Sequence, residues 1–204
     1  MEVPGETQSA EYNRVQELRN FDDTKAGVKG LVDAGIVKVP KIFIAPPSND
    51  QAEFPTCQQP NLQIPVINLD DIYGDRRKEI VNEVRIASET WGFFQVVNHG
   101  VPLRVLEDMI QGVRRFNEQV LEVKKEFYSR DRTRTVRFNS NYDLYKSRAA
   151  NWRDTLAFTR DAVDHEPTEV PQVCREATLE YTSHVVELGR PTFWIIIRGS
   201  GTQT

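Results

Sequence analysis

With 204 residues, 39% of them apolar and 27% charged, the chain is long enough for one ordinary globular domain or one and a half small ones, and too apolar for a disordered tail. A formal net charge of −4 and a pI near 5.5 imply no broad attraction to nucleic acid or to an anionic membrane, so partners have to be argued from individual sites. The opening residues Met1 to Glu6 carry neither a basic flank nor an apolar stretch, and no apolar run approaches the ~20 residues that span a bilayer, which points to a cytoplasmic protein. Cys57 and Cys174 lie far apart without Cys-x-x-Cys spacing, and read as free thiols in a reducing compartment.

In chain order, a helical pattern runs from Ser9 to about Arg19, and Asp22, Asp23 and Thr24 offer capping oxygens to a second helix that ends near Ala34, with Gly35 as its C-cap. Val39 to Ile44 reads as extended, and the polar, proline-bearing run from Pro46 to Pro60 as a loop or linker. Ile64 to Leu69 is a short strand whose Pro65 places it at a sheet edge or a strand start. A helix follows from Arg76 to about Trp91, with Ile80, Val84, Ala87 and Trp91 on one stripe. Phe93 to Val97 is a second strand, apolar on both faces and so expected to be buried on two sides.

After the turn at Asn98-His99-Gly100, Pro102 sits where a first helical turn tolerates a missing N–H. A long helix is then predicted to about Tyr128, with Leu106, Met109, Ile110, Val113, Phe116, Val120 and Phe127 facing inward. Arg130 to Arg137 reads as a solvated connection, and Tyr142 to Tyr145 with Trp152 to Phe158 as a hairpin or two short strands. A final helix starts near Pro171, with Val173, Ala177, Tyr181, Val185 and Leu188 on one face. The sum is an α+β (mixed α/β) fold, helices around a small partial sheet.

His99 invites a catalytic or metal-binding reading, yet no partner that would take its proton or share a metal lies nearby in sequence. The simpler reading is that Asn98 and His99 tie the turn with side-chain hydrogen bonds, while Gly100 takes a conformation that a Cβ would penalise. His184 falls beside the apolar stripe of the last helix and reads as a packed or half-exposed residue. Asp161, Asp164, His165 and Glu166 form an acidic cluster that reads as a wet loop before it reads as a cation site. Gly27-Val28-Lys29-Gly30 lacks the spacing and the Ser/Thr of a phosphate loop, and neither Gly-x-Ser-x-Gly nor His-Glu-x-x-His occurs. From the residues alone this is a soluble α/β protein with no visible catalytic, cofactor or metal site.

Four separated motifs carry a resemblance: GVKGLVDAGIVKVPKIFI from Gly27 to Ile44, IPVINL from Ile64 to Leu69, WGFFQVVNHGVP from Trp91 to Pro102, and NWRDTLAF from Asn151 to Phe158. Together they resemble the plant 2-oxoglutarate- and Fe(II)-dependent dioxygenases, in the branch of 1-aminocyclopropane-1-carboxylate oxidase homologues, in order across about residues 12 to 190. The resemblance implies the N-terminal portion of a distorted jelly-roll (double-stranded β-helix) dioxygenase with the jelly-roll core missing. Residues 1–60 would be a helical extension and linker, and 61–190 the N-terminal dioxygenase domain.

In such a family Fe(II) is held by a His-x-Asp pair and a distant second histidine, a set that leaves positions open for the 2-oxo acid and dioxygen. His99, His165 and His184 are followed two places on by Val101, Pro167 and Val186, so none opens that motif. Arg198-Gly199-Ser200 matches the letters of the family's 2-oxoglutarate anchor, but stands without the iron ligands that precede it there. The intact family implies Fe(II), 2-oxoglutarate and a small-molecule substrate. Neither cofactor is expected on this chain, nor is nucleic acid or membrane. The alternative is a non-catalytic interaction or regulatory protein that uses, or self-associates through, exposed apolar faces.

Residues 191–204 read as an aberrant tail. Back-translated with permitted codons and read one base later, Thr192 to Thr204 becomes Leu-Phe-Gly-Leu-Leu-Ser-Glu-Ala-Leu-Gly-Leu-Lys, an apolar-periodic helix of the family's type, which points to a one-base frameshift near Gly189 to Pro191.

Overall fold

A computed structural model describes residues 12–47 and 63–199, the side chains beyond Arg190 excepted. The chain forms two units, neither continuous in sequence: residues 1–49 with 117–162, and 50–116 with 163–204.

In the first unit, α1 (Arg14–Asp23) is capped by Asn13, whose side chain accepts the Gln16 N–H, and the predicted start at Ser9 lies outside the described residues. Leu18 and Phe21 are its buried residues, and Asp22 and Asp23 lie in its last turn instead of capping the next helix. That next helix, α2 (Gly27–Asp33), has no side-chain cap from its own N-terminal flank. Its cap comes from a distant part of the chain: the Asp154 carboxylate accepts the Val28 and Lys29 N–H groups, each at 2.9 Å, which satisfies two of the donors a helix start leaves orphaned. Gly27 has φ +68°, and a Cβ there would fall 2.4 Å from Asp154 Oδ1, so the position needs glycine for its backbone and for its space. At the other end Gly35, as expected, closes the helix: at φ +71° it donates to Val32 O while Ile36 donates to Leu31 O, the paired bonds of a Schellman ending.

Val39 to Ile44 is not extended throughout. Lys41–Phe43 is a 3₁₀ turn that drops Ile42 into the core, where its carbonyl accepts the Ala150 N–H at 2.7 Å. The predicted long helix ends at Asn117, and a separate α5 (Leu121–Glu126) follows. Lys124 of α5 is buried and turns its Nζ back to the Asn117 carbonyl, at the C-terminal end of the preceding helix, at 2.8 Å. Strands β3 (Val136–Ser140) and β4 (Asp154–Phe158) pair antiparallel with Val136 opposite Phe158 and Ser140 opposite Asp154. The predicted strand at Tyr142 to Tyr145 is instead a turn, and the partner of β4 is 136–140, which begins inside the stretch read as a solvated connection. Leu18, Phe21, Val28, Ile42, Leu144 and Ala150 form this unit's core.

In the second unit β1 (Val66–Asn68) and β2 (Gln95–Val97) form a two-stranded parallel sheet, joined through α3 (Arg77–Thr90). As predicted, Ile80, Val84 and Ala87 of α3 are buried, and they pack with Ile67, Leu69 and Ile72. Phe94 and Val96 face that cluster, but two-sided burial of β2 does not hold: Phe93 and Val97 are 54% and 42% exposed, because among the described residues no third layer covers their side.

Helix α4 (Leu103–Asn117) buries Val105, Gly112 and Phe116. The inward face is thus rotated from the predicted one, leaving Ile110 53% exposed, and Val120, past the helix end, 66% exposed. Gly112 explains the rotation: a Cβ there would stand 3.1 Å from Cys174 Cβ, so the backbone, not a large side chain, makes the close approach. Helix α7 (Arg175–Gly199) runs beside α3 and places Leu188 on the α3 cluster, while Val185, expected on the same face, is exposed. A short α6 (Arg160–Asp164) and a 3₁₀ turn at Pro167–Glu169 complete the described elements, none of whose helices is long and apolar enough to cross a membrane.

The distant cap on α2 is testable by thermal unfolding. Asp154→Ala is expected to lower stability by about 1 kcal/mol, with Asp154→Asn in between because an amide oxygen still accepts one bond. Gly27→Ala is expected to cost more than either, since it combines a left-handed backbone with the clash at Asp154.

Candidate functional site

The turn singled out by the sequence lies in the second unit, between β2 and α4. Asn98 (φ +53°) and Gly100 (φ +78°) flank His99 in the left-handed region. The Asn98 side-chain amide donates to Asn68 Oδ1 at 2.9 Å, and the same oxygen accepts the Asp70 N–H, so one side chain couples the ends of both strands. His99 Nδ1 accepts the Val101 N–H at 3.1 Å, which leaves the imidazole hydrogen on Nε2. Pro102 precedes α4, and its carbonyl accepts the Val105 N–H at 3.0 Å.

His99 lines a cavity of about 420 Å³ whose floor includes Leu69, Ile72 and Val101. The structure brings His184 to the same cavity, along with Asp70 and Glu187, a juxtaposition across 85 residues that no local motif announces. Even so, among the described residues no group of three or more His, Cys, Asp or Glu is arranged to hold a metal ion. His165 is exposed and lies away from this cavity's lining, and Asp161, Asp164 and Glu166 are exposed beside it. Ser200 of the Arg198-Gly199-Ser200 match lies outside the described residues, as does Cys57. Cys174 is a buried free thiol that donates to Pro171 O at 3.4 Å, and burial pushes its pKa up, away from a reactive thiolate.

The strongest electrostatic feature is one the sequence reading passed over. Asp22 is surrounded in the first unit by Tyr128, Arg130 and Tyr145. Arg130 Nε reaches the two Asp22 oxygens at 2.8 and 2.7 Å, and the Tyr145 hydroxyl donates to Oδ2 at 2.8 Å. The Tyr128 hydroxyl donates to Oδ1. Arg130 spends its other N–H groups on the Asn141 and Ser140 carbonyls, at 2.7 and 2.8 Å. Burial alone would raise the Asp22 carboxyl, but the hydrogen bonds from Arg130, Tyr128 and Tyr145 outweigh it and hold the group below its usual range. Burial and the neighbouring carboxylate push the Tyr145 hydroxyl up to about 12 and Tyr128 higher still. Asp22 accepts from three side chains and Arg130 donates to Asp22, Tyr128 and two backbone carbonyls, so the cluster is a clamp between α1 and the β3–β4 hairpin.

Residues 64–177, which take in β1, the Asn98–Gly100 turn and the start of α7, match the family described as non-haem dioxygenase in morphine synthesis N-terminal. Over 199 residues the chain is 44% identical to 1-aminocyclopropane-1-carboxylate oxidase homolog 1 of Arabidopsis thaliana, covering 97% of this chain and 54% of that protein. It is 45% identical over 192 residues to a probable 2-oxoacid dependent dioxygenase of the same plant, covering 93% and 53%. To deacetoxyvindoline 4-hydroxylase of Catharanthus roseus it is 42% identical over 195 residues, covering 94% and 49%. The chain therefore spans about half the length of the curated relatives it matches.

The clamp has a pH signature. A carboxyl whose pKa is depressed by folding adds stability above its unfolded value near 3.8, and that stability disappears as pH falls through the depressed folded value. Asp22→Asn is expected to be less stable than the parent at neutral pH and to show a flatter loss below about pH 5 in denaturant titrations. Arg130→Ala, which strands the carboxylate, is expected to cost about 2–4 kcal/mol.

Proposed function

The chain belongs to the non-haem dioxygenase family, as its N-terminal region, and from that premise we propose that it supplies this region to a cytoplasmic 2-oxoglutarate- and Fe(II)-dependent oxidoreductase that hydroxylates or otherwise oxidises a small organic metabolite. The observation that carries the reading is the match of residues 64–177, supported by relatives whose printed names include a 2-oxoacid dependent dioxygenase and a hydroxylase.

The described residues do not fit the metal. Ferrous ion in such enzymes needs two imidazoles and a carboxylate converging on one point, whereas here no three such donors converge and His99 Nδ1 already serves the turn. No catalytic step is therefore assigned to this stretch. What its residues do is build scaffold: the Asn98–Gly100 turn joins β2 to α4, and His99 is a structural tie in it. The open side of the parallel sheet, with Val66, Phe93 and Val97 exposed, is where further chain of a full-length relative would pack. Burying each such side chain is worth roughly 1.5–3 kcal/mol, a large share of the 5–15 kcal/mol that holds a domain together.

The same open side favours a second reading, a non-catalytic interaction or regulatory protein that uses those apolar faces. For residues 191–204 the reading is a frame-shifted tail, for which the alternative frame of the back-translated string is the support.

Two measurements test these statements. The purified chain is expected to give no iron-dependent consumption of 2-oxoglutarate; turnover that follows added Fe(II) and is lost to a chelator would overturn the scaffold reading. Sequencing the transcript is expected to reveal a frame that continues into a His-x-Asp motif, whereas an unbroken message encoding the printed tail in every isolate ends the frameshift proposal.

A further inference from the structure

Charge is unevenly divided along this chain. Between Ser129 and Arg153 seven Lys and Arg stand against two Asp. The first unit holds 16 basic and 14 acidic residues and the second 10 and 16, so net charges of +2 and −6 are carried on one chain. Arg132, Arg134, Lys146, Arg148 and Arg153 are all exposed, and among the described residues none forms an ion pair.

Three aromatic side chains are exposed in the same stretch, Tyr142, Tyr145 and Trp152, at 61%, 49% and 45%. Each is nonetheless held in place. The Arg132 guanidinium lies 3.9 Å over the Tyr142 ring, the Tyr145 hydroxyl is tied to Asp22, and Trp152 meets Phe43 edge-on at 4.9 Å. The Asn141 N–H donates to Arg153 O, and the Asn141 side chain accepts the Asn151 N–H, so Tyr142 and Trp152 flank one rung at the end of the β3–β4 hairpin.

Pre-positioned Tyr and Trp with Arg in excess over Lys is the composition of a protein-recognition surface, because such side chains lose little freedom on docking. A polynucleotide fits less well. Its phosphates call for a strongly basic footprint, and this unit's net charge is only +2. An acidic protein surface with an aromatic residue fits better, and the second unit, at net −6, presents one: in Asp70-Asp71-Ile72-Tyr73-Gly74-Asp75 the three aspartates are exposed and Tyr73 is 77% exposed. Of the basic residues that follow, Arg76 pairs with Glu79 and Arg77 donates to the Ile72 carbonyl, which leaves Lys78.

We propose that the basic, aromatic end of the β3–β4 hairpin docks the acidic 70–75 loop of a second copy of this chain, a head-to-tail contact independent of the apolar sheet edge and of the dioxygenase reading. Sedimentation equilibrium of the full chain tests it. Self-association is expected at low salt, weakening about tenfold or more as ionic strength rises to physiological. Arg132→Glu with Arg153→Glu removes one side of the contact, and Asp70→Lys with Asp75→Lys the other, so each double variant alone is expected to be monomeric. Mixed together they are expected to form a 1:1 heterodimer, since the first keeps its acidic loop and the second its basic face. Melting midpoints close to the parent's establish that the variants fold, and Arg134→Glu with Arg148→Glu replaces the first pair should it not. A monomer at low salt, association that ignores salt and both variants, or a mixture that stays monomeric overturns the proposal. So does binding of a single-stranded oligonucleotide probe that Arg132→Glu with Arg153→Glu abolishes without self-association in the parent.

Discussion

The first unit depends on one carboxylate. Asp154 stands at the start of β4 and closes the N-terminus of α2 through the Val28 and Lys29 N–H groups, which have no other cap. Without it α2, seven residues long, would begin with bare donors in a half-buried place, a cost that so short a helix cannot offset from its own propensity. Gly27 is bound to the same constraint, since only a residue without Cβ leaves room for the carboxylate. The clamp of Arg130 on Asp22 repeats the logic one helix earlier: a side chain from beyond α5 satisfies a group on α1. The two polar contacts fix where the helices sit on the hairpin, while Ile42, Leu144 and the aromatic packing of Phe21 on Phe43 supply the burial.

Periodicity was a sound guide where a helix presents one stripe to one neighbour. Ile80, Val84 and Ala87 of α3 were legible for that reason, as was Gly35, whose type alone signals a helix end. It failed where backbone made the contact. Gly112 against Cys174 turns α4 away from its most apolar face, and a pattern that counts large side chains has no means of registering a glycine as the point of closest approach. Arg130 was missed because an arginine-rich run reads as solvated until the carboxylate that neutralises it is found, and Asp22 lies 108 residues away. Asp154 was in view inside NWRDTLAF and Gly27 inside GVKGLVDAG, but only the fold shows that these two motifs touch.

The candidate site divides the same way. The sequence names the turn residues, and the bonds made by Asn98 and His99 are local enough to be argued from their types. That His184 shares a cavity with His99 follows from α7 returning beside α3, which is tertiary information. What the sequence states about iron is a spacing: none of His99, His165 and His184 has an acidic residue two places on.

A unit built from two separated pieces of chain has a history as well as a shape. Val28 meets Asp154 across 126 residues, so when the protein is made, the first two helices leave the ribosome long before the strand that secures them. At a synthesis rate of about 5–20 residues per second, that delay is roughly 6 to 25 seconds. For that interval the apolar side chains of Leu18, Phe21 and Val28 have no partner from the hairpin. Chaperones that recognise short greasy segments in nascent chains therefore have their opening here, at the amino terminus.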